Sequence, residues 1–112
     1  MVVREFWVKE GCEQSFAKVF GSNGIWSELL RRSDQYVKTE LRVESGAERR
    51  YRTFDYWKSH LGFERFREQY QADCDRLSRL IANEEWIERE ILLGSFYVDE
   101  SDTDEGTDLV PA

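Results

Sequence analysis

The sequence predicts an α+β fold built on an antiparallel sheet, and three observations lead there. Four stretches alternate with the period of two that gives a strand two distinct faces. Between the first and second, and again between the third and fourth, apolar residues step by three or four, as on one side of a helix. The second and third stretches are separated only by Glu44 to Arg49, which contains Gly46 and reads as a hairpin connection.

The first strand is Val2 to Lys9, with Arg4, Phe6 and Val8 on one side and Val3, Glu5 and Trp7 on the other. Gly11 ends it. Cys12 to Phe20 then carries Phe16, Val19 and Phe20 at helical spacing, and Gly21-Ser22-Asn23-Gly24 interrupts, because Gly and Asn favour turns. A second helical piece runs from Ile25 or Trp26 to Arg32, with Trp26, Leu29 and Leu30 inward and two arginines in the last turn, where positive charge suits the helix dipole. Tyr36 to Glu44 sets Val37, Thr39, Leu41 and Val43 against Tyr36, Lys38, Glu40 and Arg42. Arg50 to Trp57 is the third strand. The longest helix spans His60 to Ile81, with Ser59 as its start and Phe63, Phe66, Tyr70, Cys74, Leu77 and Ile81 as its apolar stripe. Asn83 to Arg89 reads as a short helical turn anchored by Trp86, and Ile91 to Val98 as the fourth strand, with Gly94 at a bulge. The order βαββαβ is the ferredoxin-like split, an antiparallel sheet with both helices on one face.

The third strand makes a further demand. Tyr51 and Trp57 lie on one side of it and Phe54 and Tyr56 on the other, and rings on both faces need cover on both. Helices cover one. A second copy, sheet against sheet, is the economical cover for the other, so a homodimer is expected.

At 112 residues the chain has the size of one domain. Its net charge of −7 is concentrated at one end: Asp99 to Asp108 holds six acids and no base, which leaves 16 bases against 17 acids elsewhere. Residues 1–98 therefore read as the folded domain and residues 99–112 as an acidic disordered tail. A near-neutral body lacks the clustered positive field of a nucleic-acid surface. No run of apolar residues is long enough to span a membrane, and MVVREFWV lacks the features of a signal peptide. Cys12 and Cys74 have neither metal nor redox spacing, which points to free thiols and a cytoplasmic protein. No phosphate-binding loop, dinucleotide fingerprint or zinc pattern is present, so no cofactor and no metal are expected.

Among candidate site residues, Trp57 can stack on an aromatic ligand, or close the sheet against the helix as core. Asp55 should share a face with Trp57 and Tyr51; it can abstract a phenolic proton or pair with Arg52 or Lys38. His60, the only histidine, has a side chain suited to proton transfer but stands where the helix begins. Glu5 and Trp7 line either a pocket or a dimer interface. Cys74 reads as a packed thiol.

Trp57-Lys58-Ser59-His60-Leu61-Gly62-Phe63, of the form W-x-S-x-x-x-F, resembles the antibiotic biosynthesis monooxygenase (ABM) family of dimeric α/β barrels. The stretch from Gly24 to Arg32 followed by Tyr36 to Leu41 is similar to that family's first-helix end and second strand, and Arg50 to Trp57 to its third strand, so that the likeness covers roughly residues 2–98. The resemblance implies a homodimer with a pocket between each sheet and its helices. It also implies a small-molecule monooxygenase that oxidises an aromatic or phenolic substrate with O2 and no cofactor. In that reading Trp57, Asp55 and His60 are the catalytic candidates, and Trp57, Tyr51, Trp7 and Tyr36 the substrate-binding ones. Haem-degrading members use an Asn in the first strand and a His on the second helix; Val2 to Lys9 holds no Asn and no His follows His60, so haem degradation is not expected. The alternative is a non-catalytic homodimeric barrel that binds a small ligand.

Overall fold

The computed structural model describes residues 1–44 and 49–97 and, for 98 and 109–111, the course of the backbone. In chain order the elements are β1 (Val2–Val8), α1 (Glu13–Phe20), α2 (Ile25–Leu30), β2 (Tyr36–Val43), β3 (Arg50–Trp57), α3 (His60–Asn83), β4 (Ile87–Val98) and β5 (Leu109–Pro111). The sheet runs β2-β3-β1-β4-β5 with every pairing antiparallel. Its four long strands and the helices between them are compatible with a ferredoxin-like fold. The acidic run 99–108 lies outside the described residues, but Leu109–Pro111, read from sequence as part of a tail, adds a short strand to the edge of β4.

The three helices of the described residues bury their apolar sides against one face of the sheet. Val2, Phe6 and Val8 from β1 and Trp57 from β3 join Phe16, Val19 and Phe20 of α1, Trp26, Leu29 and Leu30 of α2, and Phe66 and Ile81 of α3 in one core. Much of it is ring on ring: Phe6, Phe16 and Phe20 lie 4.8–5.1 Å apart, and Trp57 packs 5.1–5.6 Å from Tyr36, Phe63 and Phe66. Such contacts add about 0.5–1.5 kcal/mol per pair beyond area burial.

Irregularities in the strand pairing decide which side chains face inward. On β2, Tyr36 pairs with Trp57 and Lys38 with Tyr56, so Val37 is an extra residue. That bulge reverses the expected alternation at the strand's start: Tyr36 turns into the core while Val37 is exposed. On β4, Val3 pairs with Gly94 and Arg4 with Leu92, which makes Leu93 the extra residue beside Gly94, as the sequence suggested. Gly94 has φ +145, a conformation that side chains rarely adopt, and a Cβ there would stand 3.0 Å from the Phe96 ring.

The junction after α3 departs from expectation. Instead of a helical turn over Asn83–Arg89, α3 continues to Asn83, Glu85 takes φ 59, and β4 begins at Ile87. The reason is pairing: Lys9 N–H donates to the Trp86 carbonyl at 2.7 Å, so β1 draws this segment into the sheet.

Candidate functional site

A cavity of about 320 Å³ lies between the covered face of the sheet and α3. β1 contributes Arg4, β3 contributes Asp55 and Trp57, α2 contributes Trp26, and α3 closes it with Phe63, Phe66 and Cys74. A second cavity, of about 340 Å³, shares Arg4 and Trp26 with it.

The polar centre is a buried pair. Asp55 is 4% exposed, and Arg4 Nη2 stands 3.5 Å from its Oδ2. The other carboxylate oxygen, Oδ1, accepts a hydrogen bond of 2.7 Å from Thr39 Oγ1. Tyr36 Oη lies 2.7 Å from the same Thr39 oxygen. Since Thr39 spends its single proton on the carboxylate, Tyr36 is the donor in that contact, and the order Tyr36–Thr39–Asp55 follows. Burial pushes the Asp55 carboxyl above its usual range, against the opposing pull of the Arg4 charge and the Thr39 hydrogen bond. The Arg4 guanidinium also lies 4.6 Å from the Trp26 ring centroid, a cation–π contact that helps hold it inside.

Two indole donors beside this pair are unspent. Trp57 Nε1 and Trp26 Nε1 are buried with no hydrogen-bond partner among the described residues, and so is Arg4 Nη2. A ring-lined cavity with a few convergent donors is the general form of a small-molecule site.

Of the residues singled out from sequence, Trp57 and Asp55 line the cavity and Tyr36 stands behind Trp57, its ring edge-on at 5.6 Å. The others fall elsewhere. His60 is exposed at the start of α3, with Nε2 3.9 Å from Glu64 and its ring against Tyr97. Tyr97 has no hydrogen-bond partner for its hydroxyl among the described residues, and burial, with Glu64 and Asp55 nearby, pushes it up to about 12. Tyr51 shares the inner face but packs on Phe16, 5.1 Å away, towards α1. Trp7 is on the opposite face of the sheet, between the guanidinium groups of Arg50 and Arg89 at 5.2 and 5.0 Å. Trp7 has the parity of Glu5, not of Arg4, and cannot reach the cavity.

Asp55 also differs in its partner: it pairs with Arg4, not Arg52 or Lys38. Those two cations lie on the other face, where Arg52 holds Glu5 and Lys38 holds Glu40. The sequence carried the signal. Arg4 alternates with Phe6 and Val8, and a cation on an apolar face requires a carboxylate on a neighbouring strand.

The face opposite the described helices is built differently. Glu5 is 2% exposed although no helix among the described residues covers it; Arg50 Nε at 2.8 Å and Arg52 Nε at 2.7 Å close over its carboxylate. The Arg50 hydrogen bond, followed by that from Arg52, holds the Glu5 carboxyl below its usual range despite the opposing effect of burial. Arg42 lies 4.9 Å from the Phe54 ring and Lys38 5.0 Å from the Tyr56 ring.

Among the described residues no group of three or more His, Cys, Asp or Glu can hold a metal ion, and no helix is long and apolar enough to cross a membrane. No protein-family model, curated protein or solved structure matches the chain.

Proposed function

We propose that this protein is a small-molecule monooxygenase of the ABM type, acting in the cavity under Trp57 on an aromatic or phenolic substrate with O2 and no cofactor. One observation carries the reading: a buried carboxylate, Asp55, stands beside Arg4 in a cavity walled by Trp57, Trp26, Phe63 and Phe66. An apolar cavity of about 150 Å³ accommodates a benzene ring, so about 320 Å³ suits a compound of two or three fused rings.

The chemistry needs little from the protein. Removal of a proton from a phenol or enol leaves an electron-rich anion. At an activated CH2 carbon, addition of O2 gives a hydroperoxide, and loss of water leaves a carbonyl, so that one oxygen atom enters the product and the other leaves as water. Asp55 takes the proton, Trp57 stacks on the ring, and the apolar walls exclude water. The uncovered face of the sheet, rich in Trp7, Phe54 and Tyr56, is where we place a second copy in a homodimeric barrel.

The test is O2 uptake with a panel of hydroxylated polycyclic aromatics. Trp57→Phe keeps the core filled but loses the indole, and should lower turnover by up to about tenfold, the equivalent of ~0.5–1.5 kcal/mol of stacking. Asp55→Asn should remove most of it. Absence of uptake with folded wild-type protein overturns the oxygenase reading. A non-catalytic ligand-binding barrel is the second reading, favoured by the close packing of Trp57 against three other rings.

A further inference from the structure

We propose that Arg4 and Asp55 exchange partners when a ligand binds: an acidic phenol or enol passes its proton to Asp55, and its oxyanion takes the place of the carboxylate on the Arg4 guanidinium. This rests on the reading of the cavity as an aromatic-ligand site, and it assigns that site a chemical class and two residues, Arg4 and Thr39, that give it selectivity.

The geometry of the pair is that of a replaceable partner. Arg4 Nη2 to Asp55 Oδ2 is 3.5 Å, whereas Glu5 meets its arginines at 2.7–2.8 Å. Arg4 Nη2 is buried and makes no well-aligned hydrogen bond, its nearest carboxylate oxygen standing 3.5 Å away, so a donor carrying positive charge faces the cavity with a long, loosely held partner. On the carboxylate, Oδ1 is committed to Thr39 and held there by the Tyr36 hydroxyl behind it, while Oδ2 alone faces the arginine. Thr39 is therefore a positioning residue: it fixes which oxygen receives a proton.

The exchange conserves charge. Before it, Arg4⁺ and Asp55⁻ face a neutral ligand; afterwards Arg4⁺ faces the ligand oxyanion and Asp55 is a neutral acid. The ligand O–H bond breaks with its electron pair left on the ligand oxygen, and a lone pair of Asp55 Oδ2 forms the new O–H bond. That new O–H is placed to donate back to the oxyanion. No uncompensated charge is buried at any point, which is the condition a dry site imposes. Burial already favours the protonated carboxyl of Asp55, in the direction the step requires. The other charged and titratable groups around it are Glu90 of β4, Arg67, Cys74 and Asp75 of α3, the Met1 amino group and Tyr97.

The experiment is spectrophotometric titration of the full chain with para-nitrophenol, whose phenolate absorbs in the visible, and with para-nitroanisole, which has no proton to give. At pH values below the probe's own pKa and above that of Asp55 in the free protein, wild-type protein should bind nitrophenol with the phenolate spectrum and an affinity that does not change with pH, because the proton stays on Asp55. In Asp55→Asn the proton must go to solvent, so affinity should weaken tenfold for each unit of falling pH. Arg4→Met should bind nitrophenol in its neutral form, and Thr39→Val should reduce the phenolate fraction, in proteins whose circular dichroism matches wild type. Wild-type protein binding nitrophenol with the neutral spectrum, or with the tenfold slope, overturns the proposal while the aromatic site stands. Binding of neither compound overturns both. The wild-type spectrum alone decides the matter if a variant fails to fold.

Discussion

Asp55 and Glu5 are carboxylates on adjacent central strands, both almost fully covered, and their environments push them in opposite directions. Glu5 is held below its usual value by Arg50 and then Arg52. Its contribution to stability is therefore complete above its unfolded value near 4.5 and lost as pH falls through the lower folded value. Asp55 is raised, chiefly by burial. Its contribution is complete below its unfolded value near 3.8 and lost as pH rises through the higher folded one. Urea midpoints measured from acid to neutral pH should separate them. The deficit of Glu5→Gln relative to wild type should shrink on acidification, while that of Asp55→Asn should grow. Parallel pH profiles for the two variants would contradict these environments. Trp57, at 6% exposed and packed on three rings, should lose ~3–5 kcal/mol on truncation to alanine. A loss below about 1 kcal/mol would mean that it is not core. Part of the site could be read from residues alone: the parity of Arg50 to Trp57 puts Asp55 and Trp57 on one face, as found. Arg4 is legible by the same parity. The place of Tyr36 is not, because the bulge at Val37 leaves no mark in the alternation.

The elements differ in how openly the sequence declares them. The start of α3 is explicit: Ser59 accepts from the Gly62 N–H at 3.0 Å, and Gly62 itself lies so close to Gln35 that a Cβ would stand 2.6 Å from the glutamine's own Cβ. Ser59→Ala should cost about 1 kcal/mol, read from chemical denaturation, as expected for loss of a helix cap. An unchanged midpoint would show that the hydrogen bond is not retained in solution. The strands β1 and β3 follow their alternation through nearly their whole length, because each is central and both its faces are specified. At β4 the pattern fails. Ile87 to Arg89 holds Glu88 and Arg89 in a stretch that local propensity assigns no clear state, and tertiary pairing with β1 decides it. Leu109–Pro111 is similar: three residues carry no periodicity, and the free edge of β4 supplies the reason for a strand there.

At the scale of the whole molecule, the described residues form one sheet with their helices on one side, and the opposite face poses the remaining physical problem. That face is neither an ordinary solvated surface nor an apolar one. Glu5 is roofed by the guanidinium groups of Arg50 and Arg52, Trp7 lies between that of Arg50 and that of Arg89, and Phe54 and Tyr56 each carry a cation. Flat rings and guanidinium planes are the groups most enriched at the centres of protein interfaces, where a partner desolvates them. A C2 dimer across this face would set each copy's rings and charges against the same set related by the two-fold axis. A stable interface needs about 1,200–2,000 Å² of buried surface, which a second sheet of four long strands can supply. Native mass spectrometry at micromolar concentration should accordingly give the mass of two chains. Tyr56→Glu places a carboxylate beside Lys38 without touching the covered core, and should yield a folded single chain with the Asp55 cavity intact. A single-chain mass for the wild type would mean that the cation–ring lattice is sufficient cover by itself, and that the cavity under Trp57 functions in a monomer.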